Sequence, residues 1–324
     1  IRKYFKRNWM KIKMNEFDYI DKYFRPLTNK FAFNLKNDAA IFNQKSSFDL
    51  IISTDTLCEG IHFFGNEDPV DIAKKSLRVN LSDMAAMGAK PIFYNLSLSI
   101  PKIKASQFIP KFSKGLEEDQ KIFGIKLIGG DLTSSLKHIN ITITIFGETS
   151  KGKSIPRDGA NIGDYLYVSG ILGLSKIGLD NFNSNLKEFE ESKRKYLIPQ
   201  PRVDLGISLK NIANSMIDIS DGLIQDAIHL ARNSKLTIEI NLCEIPVPNI
   251  KKVDKKLILD SALYGGDDYE LLFSCNNSHE SLLKELSKNL NLKLTKIGVF
   301  REFNREFLKF KDSNSKPENS YLHF

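Results

Sequence analysis

The stretch HINITITIFGE, residues 138–148, decides the fold. Ile139, Ile141, Ile143 and Ile145 recur at every second position, with Asn140, Thr142 and Thr144 between them. A period of two sends alternate side chains to opposite faces of a pleated strand, so one face is apolar and the other polar. Working outward, FDLIIST (48–54) is a short apolar run ending in Ser-Thr-Asp, and PIFYNLSLSI (91–100) alternates loosely. Both read as sheet segments. Between them, DPVDIAKKSLRVNLSDMAAMGA (68–89) places Ile72, Leu77, Leu81, Met84 and Ala85 at helical spacing, and SQFIPKFSKGLEEDQKIF (106–123) is a second amphipathic helix closed by Gly124. With strand IKLIGG (125–130), the order β, α, β, α, β, β predicts an α/β unit rich in strands.

A run of Gly, Lys, Pro and Asp, ETSKGKSIPRDGANIGD (148–164), marks a seam before the strand DYLYVSG (164–170). Beyond it the expected course is a helix around LGLSKIGL, a polar loop NFNSNLKEFEESKRK and a helix after PQPRVDLG. SMIDIS then leads into helix DGLIQDAIHLARNS, followed by strand LTIEINL. DYELLFS as strand, HESLLKELSKNL as helix, LKLTKIGVF as strand and a polar tail complete it. The reading is an α/β (α+β) chain of two domains: a basic leader over 1–13, an N-terminal domain over 14–148 and a C-terminal α+β domain over 149–324.

Composition narrows the function. The chain has 324 residues with 41% hydrophobic content, enough for two cores. Cys58, Cys243 and Cys275 are odd in number and lack a C-x-x-C pair, which argues against a disulfide framework or a zinc site. No run of about 18 apolar residues and no signal-peptide succession is seen, which predicts a soluble cytoplasmic protein without a membrane partner. The net charge of +8 is concentrated in IRKYFKRNWMKIK, which holds six bases and no acid, leaving 41 bases against 39 acids elsewhere. A nucleic-acid surface over the whole protein is therefore not expected. The chain begins with Ile and Met14 opens the first segment that looks folded, so the leader is expected to be an over-extended start or a disordered tail.

Six aspartates carry the chemistry. Asp38 in NDAAIF, Asp55 in IISTDTLCEGIHF, Asp83 in RVNLSDMAAMG, Asp131 in IGGDLTSS, and Asp218 and Asp221 in IDISDGL each sit at the lip of an apolar segment. Clustered carboxylates beside apolar residues repel and are costly to bury, so cations usually neutralise them. Oxygen ligands without His or Cys partners point to Mg²⁺, whose remaining ligand is commonly phosphate. Ser220 or Asp221 is expected to cap the helix that follows, whose free N–H groups attract an anion. The Gly-rich stretches IGGDLTSS and LYGGDDYELLF repeat the theme of flexible backbone beside carboxylates. No G-x-x-x-x-G-K-[ST] and no strand-anchored G-x-G-x-x-G occurs, so a Walker loop, a Rossmann site and a kinase Gly-rich loop are disfavoured.

In order, NDAAIF, STDTLCEGIHF, NLSDMAAMGAKP, IGGDLTSS, PRDGANIGD, IDISDGL and GGDDYELLF resemble the thiamine-monophosphate kinase family, of the superfamily that includes aminoimidazole ribonucleotide synthetase. The likeness spans nearly everything after Met14, with His62, the GGDDYEL element and the closing SYLHF its most particular marks. It implies an N-terminal mixed-sheet domain whose sheet pairs with that of a second subunit, making a homodimer with active sites in clefts between domains. It implies Mg²⁺ ligands at Asp38, Ser53, Thr54, Asp55, Asp83, Asp131, Asp218 and Asp221. ATP contacts would fall at Gly130, Asp131, Arg157 and Ser220, and thiamine monophosphate contacts at His62, Asp267 and Tyr321. Departures are Asn37 where an Asp commonly stands, Asp267 where Glu is usual, and Leu132 and Ser135 in the GGD loop.

The acceptor's phosphate is largely dianionic at neutral pH, with a second pKa near about 6, so no catalytic base is required. Mg²⁺ and Arg157 would offset repulsion with the γ-phosphate during direct in-line transfer, giving thiamine diphosphate. Competing readings are a superfamily enzyme acting on a nucleotide or on selenide, a non-catalytic ATP-binding protein, and a nucleic-acid binder using the leader. His138, His229 and His279 carry no partner pattern and are given no role.

Overall fold

The computed structural model describes residues 19–28 and 47–311. They divide into two compact units. The first holds Ile52–Asn80 and Pro91–Phe146 with residues 19–28, and the second holds Leu81–Lys90, 47–51 and 147–311.

The first sheet has β1 (Phe48–Cys58), β2 (Lys90–Pro101), β3 (Lys126–Ser135) and β4 (Asn140–Ser150) in the order β1-β4-β2-β3. Helix α1 (Pro69–Ala86) connects β1 to β2, and α2 (Lys102–Phe123) connects β2 to β3, as the order read from the sequence predicts. β2 and β3 run parallel with Leu98 opposite Leu132, the arrangement a helical crossover permits. On β4 the buried Ile141, Ile143 and Ile145 alternate with Thr142 and Thr144, whose hydroxyls meet Thr56 and Thr54 of β1 at 2.9 Å. Helix α2 buries Phe108, Phe112 and Leu116. It ends where Gly124 turns left-handed at φ 68 and its N–H reaches the Gln120 carbonyl.

Two strands outrun their apolar runs. β1 continues to Cys58 and β3 to Ser135, so Asp55 and Asp131 lie inside strands rather than in loops after them. Main-chain pairing continues through the polar half of β3, where Asp131 sits opposite Ser97 and Ser134 opposite Ile100.

The second sheet is a mixed one of six strands. It contains β5 (Tyr165–Ser169), β6 (Ala213–Asp218), β7 (Leu236–Ile240), β8 (Leu271–Cys275), β9 (Leu294–Glu302) and β10 (Leu308–Phe310), in the order β10-β7-β9-β5-β8-β6. Parallel pairing joins β10 to β7, whereas β5 pairs antiparallel with both β8 and β9. Around it run α3 (Leu174–Asp180), α4 (Glu190–Leu197), α5 (Val203–Ser208), α6 (Leu223–Ser234), α7 (Lys255–Tyr264) and α8 (Glu280–Asn289). Helix α6 buries Leu223, Ala227 and Leu230 in one core with Ile217, Ile238 and Phe300 of the sheet. The α/β class with a mixed first sheet and an α+β second half is the one the sequence predicts.

Two helices escaped the pattern. NFNSNLKEFEESKRK is not a loop throughout: a 3-10 turn, Lys187–Phe189, leads into α4, which buries Ser192 and Tyr196. Its polar composition hides the apolar spacing, although Glu190 and Glu191 in the first turn and Arg194 and Lys195 in the last suit the helix dipole. Asp254 caps helix α7, its carboxylate accepting the N–H of Lys256 at 2.8 Å and of Leu257 at 3.4 Å. Among the described residues no helix is long and apolar enough to cross a membrane. All three cysteines are free.

Candidate active site

β6 delivers Asp218 to the end of the second sheet, where its side chain is almost fully buried and the Ser82 hydroxyl donates to it at 2.7 Å. Burial, and then the negative charge of Asp83, push Asp218 up to about 7, against the Ser82 hydrogen bond and the positive charge of Arg157. Asp83 and Arg157, from two distant segments, thus both act on Asp218 within the second unit.

The expected cap on α6 does not form. Gly222 occupies the N-cap position at φ 115, and neither Ser220 nor Asp221 caps the helix through its side chain. The direction is reversed: Asp226, inside the first turn, accepts the backbone N–H of Ser220 and of Asp221 at 3.2 Å each. Burial and the charges of Asp218 and Asp221 raise Asp226 well above the carboxylate range. Asp221 itself accepts from Gln225 at 3.0 Å. A Cβ on Gly222 would stand 3.0 Å from the backbone carbon of Tyr264 and 3.2 Å from the carbonyl of Gly265, so this turn lies tight against a second one that follows α7.

That second turn is GGDDYE. The Asp267 N–H donates to the Ser220 carbonyl at 2.9 Å, the Tyr269 N–H to the Ile219 carbonyl at 2.8 Å, and the Ile219 N–H to the Glu270 carbonyl at 2.8 Å. Its even positions face inward. Asp268 is buried and accepts the N–H of Gly173 at 2.7 Å and of Ser175 at 3.4 Å, capping α3 from a distance. Burial raises Asp268 to about 7. Glu270 is buried between Lys195 at 2.7 Å, Arg202 at 2.6 Å through two bonds, and the Ser169 hydroxyl at 2.6 Å. Although burial opposes ionisation, Lys195 and Arg202 hold Glu270 below its ordinary value. The odd positions, Asp267 and Tyr269, are half-buried and left-handed at φ 66 and φ 50.

In the first unit, Ser53 and Asp55 share one face of β1 by the strand period, whereas Thr54 lies on the other and bonds Thr144. Gly130 and Asp131 are exposed on β3. A Cβ on Gly130 would collide with the Leu96 carbonyl, which accounts for glycine at φ 155 there. His62 Nδ1 accepts the Cys58 N–H at 3.0 Å, so in the neutral ring the proton is on Nε2. The two departures in the GGD segment serve the fold: Leu132 is buried in β3, and the Ser135 hydroxyl donates to the His138 carbonyl at 2.6 Å.

Asp38, Asn37 and Tyr321 lie outside the described residues. Among the described residues no three His, Cys, Asp or Glu side chains gather as a metal site, and the acidic juxtapositions at this end of the sheet are Asp83 with Asp218 and Asp226 with Asp218 and Asp221. Sequence reading gave no part to Ser82, Asp226 and Glu270, and took Asp268 only as one of the carboxylates in the Gly-rich stretch LYGGDDYELLF. Of these only Glu270 and Asp268 had a signal, two acids bracketing Tyr269 in a turn.

A family model described as AIR synthase related protein, N-terminal domain, matches residues 36–149. The thiamine-monophosphate kinase of Buchnera aphidicola subsp. Schizaphis graminum is 40% identical over 297 residues, covering 89% of this chain and 91% of the relative. The crystal structure of thiamine-monophosphate kinase from Stenotrophomonas maltophilia K279a superposes with a TM-score of 0.81 at 32% identity, over 87% of this chain and 91% of that one. AaThiL, solved complexed with AMPPCP and TMP, superposes with a TM-score of 0.76 at 29% identity over 96% and 98%.

Proposed function

Because the chain belongs to the thiamine-monophosphate kinase family, we propose that it transfers the γ-phosphoryl group of ATP directly to thiamine monophosphate, giving thiamine diphosphate and ADP. The observation that carries this reading is the hydrogen-bonded seam between the Asp218–Asp221 turn and the Asp267 turn, Asp267 N–H on Ser220 and Tyr269 N–H on Ile219. It ties acidic groups suited to a phosphate-bound cation to the carboxylate assigned to the acceptor.

The residues fit Mg²⁺ by their chemistry. Asp218 is buried facing the charge of Asp83, an arrangement that a hard divalent cation relieves. Asp83, Asp218 and Asp221 in the second unit, and Ser53, Thr54, Asp55 and Asp131 in the first, would hold Mg²⁺ together with Asp38. The hydroxyl of Thr54 faces away from Ser53 and Asp55, so Thr54 would contribute through its main chain. Bound Mg²⁺ would neutralise charge on the transferring phosphoryl group.

The chain's own groups do the rest. Arg157, with Gly130, Asp131 and Ser220, would bind ATP; Arg157 already exerts its positive charge on Asp218. His62 would present Nε2–H to the acceptor's phosphate, and Asp267, with Tyr321, would take its heterocyclic end. The acceptor oxygen is largely anionic at neutral pH, so the enzyme needs alignment and charge relief, not a strong base.

The protein would act in the cytoplasm as a homodimer, without nucleic acid or membrane. Ile52, 55% exposed on the face of edge strand β1 that carries Thr54 and Thr56, suits cover by a second copy. Single-turnover reaction with γ-labelled ATP tests the direct step: label should pass to thiamine diphosphate with none retained on protein, and a labelled protein that discharges to the acceptor would replace the direct step with a phosphoenzyme.

A further inference from the structure

Tyr269 is the least expected residue in the GGDDYE turn. A left-handed backbone at φ 50 is rare for a bulky side chain and usually persists only where surrounding structure enforces it. Here the enforcement is visible on both sides. Asp268 is anchored on Gly173 and Ser175, Glu270 on Lys195, Arg202 and Ser169, and the Tyr269 N–H on Ile219. With its neighbours pinned inward, the turn aims residues 267 and 269 the same way, and the Tyr269 hydroxyl donates to Asp267 Oδ1 at 3.1 Å.

We propose that Tyr269 is a positioning residue for the phosphate acceptor, its hydroxyl holding Asp267 Oδ1 so that the carboxylate keeps one orientation towards an amino-bearing heterocycle. The inference rests on the assignment of Asp267 to the acceptor. A carboxylate that accepts from a phenol loses rotational freedom, and so meets an exocyclic N–H of the acceptor in one orientation. The arrangement also answers the shortness of Asp267, one methylene less than the Glu usual in the family. A short carboxylate has one rotatable bond fewer to reach with, and its backbone turn and the phenol together fix where it points.

The test is steady-state kinetics of the full chain with ATP, Mg²⁺ and thiamine monophosphate, comparing wild type, Tyr269→Phe, Asp267→Asn and the double variant. Tyr269→Phe should raise KM for thiamine monophosphate about tenfold while KM for ATP and the thermal midpoint stay at wild-type values, as expected on losing a hydrogen bond to a charged group. In the Asp267→Asn background, adding Tyr269→Phe should change KM less than about twofold, because the two residues act as one unit. Equal loss for both substrates, no loss, or full additivity would overturn the proposal. Should Tyr269→Phe lower the thermal midpoint, calorimetric titration of that variant below its midpoint, with thiamine monophosphate and separately with ATP, decides: weakening for thiamine monophosphate alone supports the proposal, and equal weakening or none overturns it. A wild type inactive on thiamine monophosphate overturns the underlying assignment, whereas an active wild type with an indifferent Tyr269→Phe overturns this inference alone.

Discussion

The Ser82 hydroxyl donates to the Asp218 carboxylate at 2.7 Å, joining helix α1 to the end of strand β6 across 136 residues of sequence. Within the second unit this bond fixes which way a buried acid points, and it stabilises the charged form against the burial that disfavours it.

Removing it by Ser82→Ala should leave the fold in place and weaken cation binding, since groups that orient metal ligands typically contribute about 10–100-fold in affinity. The half-saturating Mg²⁺ concentration should rise by about tenfold with ATP turnover otherwise recoverable at high Mg²⁺. A Mg²⁺ titration of initial rate checks this, and an unchanged midpoint would count against Asp218 as a ligand.

Glu270 is fully buried and satisfied by Lys195, Arg202 and Ser169. Glu270→Gln leaves two cations without their counter-charge, a change that typically costs about 3–5 kcal/mol. Urea unfolding should show a midpoint shift of that size without a change in slope.

Asp268 titrates near 7 in the folded chain because burial penalises its charge, against 3.8 as the ordinary value. The folded state therefore holds a proton that the unfolded state has lost, so this group's stabilisation is full below about pH 4 and falls away as pH rises towards 7. In that window it contributes a slope of about 1.4 kcal/mol per pH unit. Asp268→Asn should flatten the stability profile over the same range. Denaturant titrations at several pH values would reveal it, and a profile parallel to wild type would refute it.

Ile52→Lys puts a charge at the centre of the exposed face of edge strand β1. If that face pairs with a second copy, light scattering should report a monomer for the variant and a dimer for wild type, with far-UV circular dichroism unchanged.

Much of the fold was legible because its signals are local. The isoleucines of β4, the apolar stripe of α2 and the stop at Gly124 each follow from neighbours in sequence. Helix α4 was not, because Ser192 and Tyr196 are its buried side chains and a serine does not register as apolar. The site divides in the same way. Asp218, Asp221 and Asp267 stand out in short motifs, whereas partners come from far along the chain: Ser82 reaches Asp218 from helix α1, and Lys195 and Arg202 reach Glu270 from a segment read as loop and from the stretch before an expected helix. The cap on α6 was read in the wrong direction, since a carboxylate within the first turn can face back to the N–H groups that a preceding residue would otherwise satisfy. The strand period did contain the separation of Thr54 from Ser53 and Asp55, which a motif read as a unit conceals.

The most direct measurement is chromatographic quantification of products from the purified protein incubated with ATP, Mg²⁺ and thiamine monophosphate, beside an Asp218→Asn control. Thiamine diphosphate and ADP should form in equal amounts in the wild type and both should be lost in the control. ADP released without thiamine diphosphate, or neither product from the wild type, would contradict phosphoryl transfer to thiamine monophosphate as this chain's reaction.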